Sequence, residues 1–155
     1  KNDFARSRSA STWSILKYQT SLVLNQSFVT PGVYSTQNAE LSMNLEQLRA
    51  QRCAPLKGKQ HQLAATHARE LLALLPGWEF GPEVADIRKT FRFPDFVRAM
   101  AFVNALGWIA ESENHHPDLE LGWGRCLVKF STHDVGGLSM NDFISAAKVE
   151  AMSAV

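Results

Sequence analysis

Three of the chain's five histidines, His115, His116 and His133, fall within nineteen residues, and Glu111 precedes the first by four. Imidazole both gives and takes a proton near neutrality, so histidines gathered near a carboxylate point to acid/base work. Cys126 sits in an alternating apolar run and reads as a core thiol, which leaves the cluster without a cysteine nucleophile. The same residues admit two other readings. Imidazole and carboxylate are zinc and iron ligands, so Glu111, His115, His116 and His133 could share a metal, although adjacent histidines rarely point the same way. Alternatively His-His-Pro is a helix stop, because Pro117 biases His116 out of helical geometry. Spacing alone leaves all three open and leans slightly to the helix stop. It also favours Asp142 as a helix cap over a catalytic group, Trp108 and Trp123 as core or interface aromatics, and His61 and His67 as surface residues.

The elements that must position these side chains follow from periodicity. A helix is expected from about Thr66, as N-cap, to Leu75, with Ala68, Leu71, Leu72 and Leu75 on one face and Pro76-Gly77 ending it. A short strand over 78–80 and a half-buried strand over 87–93 come next, the latter alternating Ile87, Lys89, Phe91 and Phe93 with polar residues. Pro94 and Asp95 open a helix running to about Glu113. Its residues Phe96, Ala99, Met100, Val103, Gly107 and Ala110 are expected to face the sheet. A second flank, Phe102, Ala105, Leu106 and Ile109, then needs another subunit to cover it. Strands over 119–123 and 125–131 precede the Gly136-Gly137 turn. A last helix over 140–151 buries Met140, Phe143, Ile144, Ala147 and Ala151, with Ser139 and Asp142 at capping-box spacing. Helices on one face of an antiparallel sheet, an α+β sandwich, are the expected fold. If 119–123 and 125–131 pair as a hairpin, His115, His116 and His133 can reach one sheet edge.

Composition narrows the function. With 155 residues the chain is about one domain. Sixteen basic against fifteen acidic residues lack the electrostatic footprint of a nucleic-acid binder, and no apolar run is long enough to span a membrane. Two cysteines build neither a disulfide framework nor a cysteine-based zinc site, as expected of reduced thiols in an intracellular protein. Four of the basic and two of the acidic residues precede Met43, with twelve Ser or Thr, so residues 1–42 are expected to form a disordered or poorly ordered leader. That leader reads equally as an organelle transit peptide or as scar or upstream sequence before a natural start at Met43; the protein is otherwise expected in the cytoplasm. Residues 43–63 read as a connector containing Cys53 and Pro55, and residues 64–155 as the functional domain.

The run from Glu111 through His115-His116-Pro117, then Trp123, His133 and Asp142 at their spacing, resembles the signature of the pterin-4a-carbinolamine dehydratases. Leu-Leu-Pro-Gly-Trp78, the Phe91-to-Phe96 passage, Ser131-Thr-His133-Asp and Gly137-Leu-Ser139 extend the likeness over roughly 64–151. The connector is similar to the variable leaders of bacterial members. The resemblance implies a four-stranded antiparallel sheet under three helices, assembling into dimers and tetramers. It implies a hydro-lyase of tetrahydrobiopterin recycling that dehydrates 4a-hydroxytetrahydrobiopterin after phenylalanine-type hydroxylation. No cofactor or metal is then needed, the pterin being the substrate, and an aromatic amino-acid hydroxylase would be a partner. By position, His115 and His133 would be the acid/base pair and His116 would orient the pterin. Glu111 would contact the ring, Trp78 would line the pocket, Pro117 and Trp123 would shape its walls, and Asp142 would cap the last helix and steady the site. The resemblance also carries an alternative on the same fold, a non-enzymatic dimerisation cofactor or assembly chaperone.

Overall fold

The computed structural model describes residues 43–153; the expected leader at 1–42 lies outside them. Four α-helices and four strands run in the order α1 (Leu45–Ala50), α2 (Ala65–Leu72), β1 (Glu79–Phe80), β2 (Ile87–Arg92), α3 (Phe96–Glu113), β3 (Asp118–Gly122), β4 (Arg125–Phe130) and α4 (Met140–Ser153). The strands form one antiparallel sheet in the order β1-β2-β4-β3. Ile87 and Phe91 of β2 and Cys126, Val128 and Phe130 of β4 alternate into the core, where α2, α3 and α4 meet them. This is the expected α+β arrangement, with α2 to α4 the three expected helices. No helix among the described residues is long and apolar enough to cross a membrane.

The additional helix α1 corrects the reading of 43–63 as a connector. Asn44 and Gln47 close a capping box around its start, and Leu48 is fully buried in the common core. Against α1, α4 buries a second side, so Ser145, Ala146 and Val149 are as buried as Phe143 and Ile144. Leu45, Leu48, Arg49 and Arg52 do repeat regularly after Met43, but six residues are too few to mark a packed helix, and with 43–63 read as a connector α4 was given one apolar face instead of two.

Three further expectations shift. The start of α2 is capped by the backbone at Ala64 without a side-chain bond, and Thr66 lies inside the helix. Trp123 belongs to the β3–β4 turn, where it is 75% exposed. In α3 the buried stripe is Ala99, Phe102, Leu106, Ala110 and Glu113. Phe102 and Leu106, expected on the outer flank, lie in the core because Phe91 and Phe93 stack on Phe102 at 4.6 and 5.1 Å between ring centroids. The outward face carries Val97, Ala101, Ala105 and Trp108 instead, with Trp108 79% exposed.

Candidate active site

The first catalytic candidate is aimed by the end of α3. Asp95 caps the start of the helix, and Asn114 stops it by adopting φ 50°, a left-handed conformation that asparagine tolerates better than most residues. The His115 N–H then donates back to the Ala110 carbonyl at 3.1 Å. The chain turns sharply, and the His115 ring enters the interior, 9% exposed and stacked 5.8 Å from Phe130 of β4. The stop is Asn114, one residue earlier than the His-His-Pro stop considered from the sequence.

The His115 Nε2 lies 2.7 Å from Asp142 Oδ1. Asp142, fully buried in the first turn of α4, also accepts from the Ser139 N–H at 2.7 Å and the Thr132 hydroxyl at 2.9 Å, both through Oδ2. Ser139 Oγ lies 2.7 Å from Thr132 Oγ1 and accepts from the Asn141 N–H at 3.2 Å. With the Thr132 hydroxyl committed to Asp142, the Ser139 hydroxyl donates to Thr132, and every member of the network is satisfied. A carboxylate so placed fixes the His115 tautomer: Nε2 carries the hydrogen and Nδ1 is left as an acceptor. Asp142 thus does what capping-box spacing predicts, reaching back to Ser139, and binds a catalytic candidate with its other oxygen.

The second candidate is placed by β4. After Phe130 the chain is pinned by a bridge between Thr132 and Gly137 and makes a short 3-10 turn over His133–Val135. His133 is exposed at its head, next to Thr132, which the Asp142 network holds. His115, His116, Asn114, residues 131–134 and Asn141 line one cleft of about 370 Å3, completed by residues 54–57. That size is in the range of small-molecule sites.

The other expected site residues fall elsewhere. Glu111 reaches His116, 3.3 Å away and exposed, rather than His115, because α3 ends too soon for an i,i+4 pair. Trp78 is corrected from pocket wall to core: it stacks on Phe130 at 5.9 Å, behind the ring that supports His115, and its Nε1–H donates to Glu150. Pro117 lies between the cleft and β3 without lining the cleft. Trp123 sits at the opposite end of β4 from His133, roughly 20 Å of strand away, and walls no part of it. Among the described residues no three His, Cys, Asp or Glu side chains gather as a metal site.

Pattern reading missed Asn114, Thr132, Ser139 as a hydroxyl relay, Asn141 and Glu113. Glu113 is buried at the C-terminal turn of α3, where it accepts from the Cys53 N–H at 2.9 Å and pairs with Arg52 at 3.0 Å and Lys148 at 3.3 Å. Burial would raise its carboxyl, but the Cys53 N–H, Lys148 and Arg52 outweigh that and hold it below the usual glutamate range. A lowered folded value stabilises above the unfolded value, and the gain is lost as pH falls through the folded one. The melting temperature of Glu113→Gln should therefore lie below that of the parent at neutral pH and converge on it in acid. A constant difference down to pH about 3, below the ordinary carboxyl value, would refute this.

Residues 61–152 match the family described as Pterin 4 alpha carbinolamine dehydratase. The chain is 54% identical over 102 residues, 66% of its length and 88% of the relative's, to a protein of Stenotrophomonas maltophilia named "Putative pterin-4-alpha-carbinolamine dehydratase". A protein of the same name from Xanthomonas oryzae pv. oryzae is 55% identical over 96 residues, 62% of this chain and 81% of that one. A solved structure, described as a transcriptional coactivator/pterin dehydratase from Brucella melitensis, aligns with a TM-score of 0.56 at 30% identity over 58% of this chain and 96% of that one.

Proposed function

The chain belongs to the pterin 4 alpha carbinolamine dehydratase family, and on that premise we propose that it eliminates water from 4a-hydroxytetrahydrobiopterin to give quinonoid dihydrobiopterin. The observation that carries the reading is the Asp142–His115 pair sharing a cleft with His133. Elimination removes the proton from N5, breaks the C4a–O bond and forms the C4a=N5 bond, the hydroxyl leaving as water once protonated. His115, steadied as a cation by Asp142, takes the N5 proton at Nδ1, and His133 protonates the departing hydroxyl. His116, backed by Glu111, orients the ring from the cleft mouth. The pterin is the substrate and the two histidines supply the proton transfers, so the reaction needs no resident cofactor. The reaction that supplies it is an aromatic hydroxylation spending tetrahydropterin, so a hydroxylase is its metabolic partner and tetrahydrobiopterin recycling its setting. Enzymatically generated carbinolamine should lose water faster with the full chain present than without it; equal rates would overturn the reading.

The outward face of α3 supports a homodimer or homotetramer, because Val97 and Trp108 are large, apolar and exposed at helical spacing with Ala101 and Ala105 between them. Light scattering at micromolar concentration should show an oligomer, and Trp108→Glu should halve its mass or more. A monodisperse monomer for the unmodified chain would count against it. The Brucella structure is described as a transcriptional coactivator as well as a pterin dehydratase, which favours as the second reading a non-enzymatic role on the same fold. Pull-down of a protein partner by a chain without dehydratase turnover would favour that role.

A further inference from the structure

The cleft has a wall that the family match does not cover. Residues 54–57 line it, yet they precede the matched residues 61–152. They belong to a strap over 52–58 between α1 and α2 that has no helix or strand of its own. Such segments usually run over the surface with their backbone groups hydrated. Here they are held by side chains from the core. Asn141, 6% exposed, reads both sides of Ala54: its Oδ1 accepts from the Ala54 N–H at 3.1 Å and its Nδ2 donates to the Ala54 carbonyl at 2.8 Å. Glu113 takes the Cys53 N–H and pairs with Arg52, whose guanidinium also donates to the Ser112 carbonyl at 2.8 Å. At the far end the Gly58 N–H donates to the carbonyl of Asp134, beside His133, at 2.9 Å.

One turn of α4 therefore serves both sides of the cleft, Asp142 holding His115 and Asn141 holding the strap. We infer that the 52–58 strap is a built wall of the pterin cleft, docked by Asn141 and Glu113, and that these positioning residues govern how tightly the pterin is held rather than the proton transfers. The inference rests on the function proposed above. A docked strap contributes four lining residues whose arrangement is set before the ligand arrives, and such preorganisation acts on affinity.

Cys53 offers a reporter of docking that is independent of turnover. Its thiol lies 3.4 Å from Ser145 Oγ, and burial pushes it up to about 11, whereas Cys126 is fully buried in the core. Alkylation by iodoacetamide at neutral pH should be slow in the folded chain and should report release of the strap. The test compares the full chain with Asn141→Leu and Glu113→Gln. Alkylation should accelerate about tenfold or more in both. The Kd for 7,8-dihydrobiopterin, read by fluorescence titration, and the KM for carbinolamine should each rise about tenfold, the equivalent of one lost clamp, with kcat within about twofold. Faster alkylation at unchanged Kd, slow alkylation in both variants, or a fall in kcat at unchanged Kd would each overturn the wall alone. No dihydropterin binding by the unmodified chain would overturn the proposed function and the wall together. If circular dichroism shows that Asn141→Leu does not fold, the combination of Arg52→Ala and Leu56→Gly replaces it, since Arg52 is exposed and Leu56 lies outside the core cluster, with the same outcomes expected.

Discussion

His115→Ala and His133→Ala should each lose about a hundredfold or more in dehydration rate, the usual loss for removing a general acid or base. The two variants should differ in stability, and that difference tests their assigned places. The His115 ring is buried on Phe130 and satisfies Asp142, so its removal leaves a buried carboxylate oxygen short of a donor and should cost about 1–3 kcal/mol. The His133 ring is exposed at the head of a 3-10 turn, and its removal should leave the unfolding free energy within about 0.5 kcal/mol of the parent. Stopped-flow measurement on freshly generated carbinolamine, paired with urea unfolding, reads both quantities. Near-parental rates in both variants would refute histidine catalysis.

Asp142→Asn should separate geometry from charge. The amide fills the same volume, and its oxygen can still accept from Ser139 and Thr132. Its nitrogen can only donate, so toward His115 it meets Nε2–H with another N–H and forces the ring to carry its hydrogen on Nδ1 instead. Nδ1 is then no longer an acceptor, and no carboxylate steadies the imidazolium. A fall in kcat of about a hundredfold or more is expected, with the fold retained and Kd for dihydrobiopterin little changed. Asp142→Ala strips three hydrogen bonds from a fully buried network and should destabilise by about 3 kcal/mol or more, as unfolding by urea would register. If the asparagine variant keeps its kcat, the carboxylate is a cap and nothing more.

The sequence carried the sheet and the three long helices well because their signals are local. Ile87 to Phe93 and Cys126 to Phe130 alternate, and α3 opens on Pro94-Asp95 as its residues suggest. The inward face of α3 was misjudged for a reason periodicity cannot resolve. A helix apolar around much of its girth offers two stripes, and only the partners Phe91 and Phe93 decide between them. The histidines were legible from their spacing, but their support was not. That Asp142 both reaches back to Ser139 and holds His115 depends on the chain turning at Asn114, and a single asparagine at a helix end is a weak signal. Trp123 sits among the same motifs yet lies apart from the cleft, because adjacency in sequence along a strand becomes distance along the sheet, whereas Trp78 is kept from the cleft by packing on Phe130 from the core side. Glu113 and Asn141 meet partners about sixty and ninety positions earlier, beyond the reach of any local pattern.

The placement of Asp142 and Asn141 on the first turn of α4 has a consequence in time. On a ribosome both histidines emerge before either residue that organises the cleft, since α4 is the last described element to be made. A nascent chain halted just before α4 holds His115 and His133 but has no carboxylate to set a tautomer and no amide to seat the strap. The proposed chemistry therefore waits for α4, whose first turn adds the carboxylate and the amide to a scaffold already made.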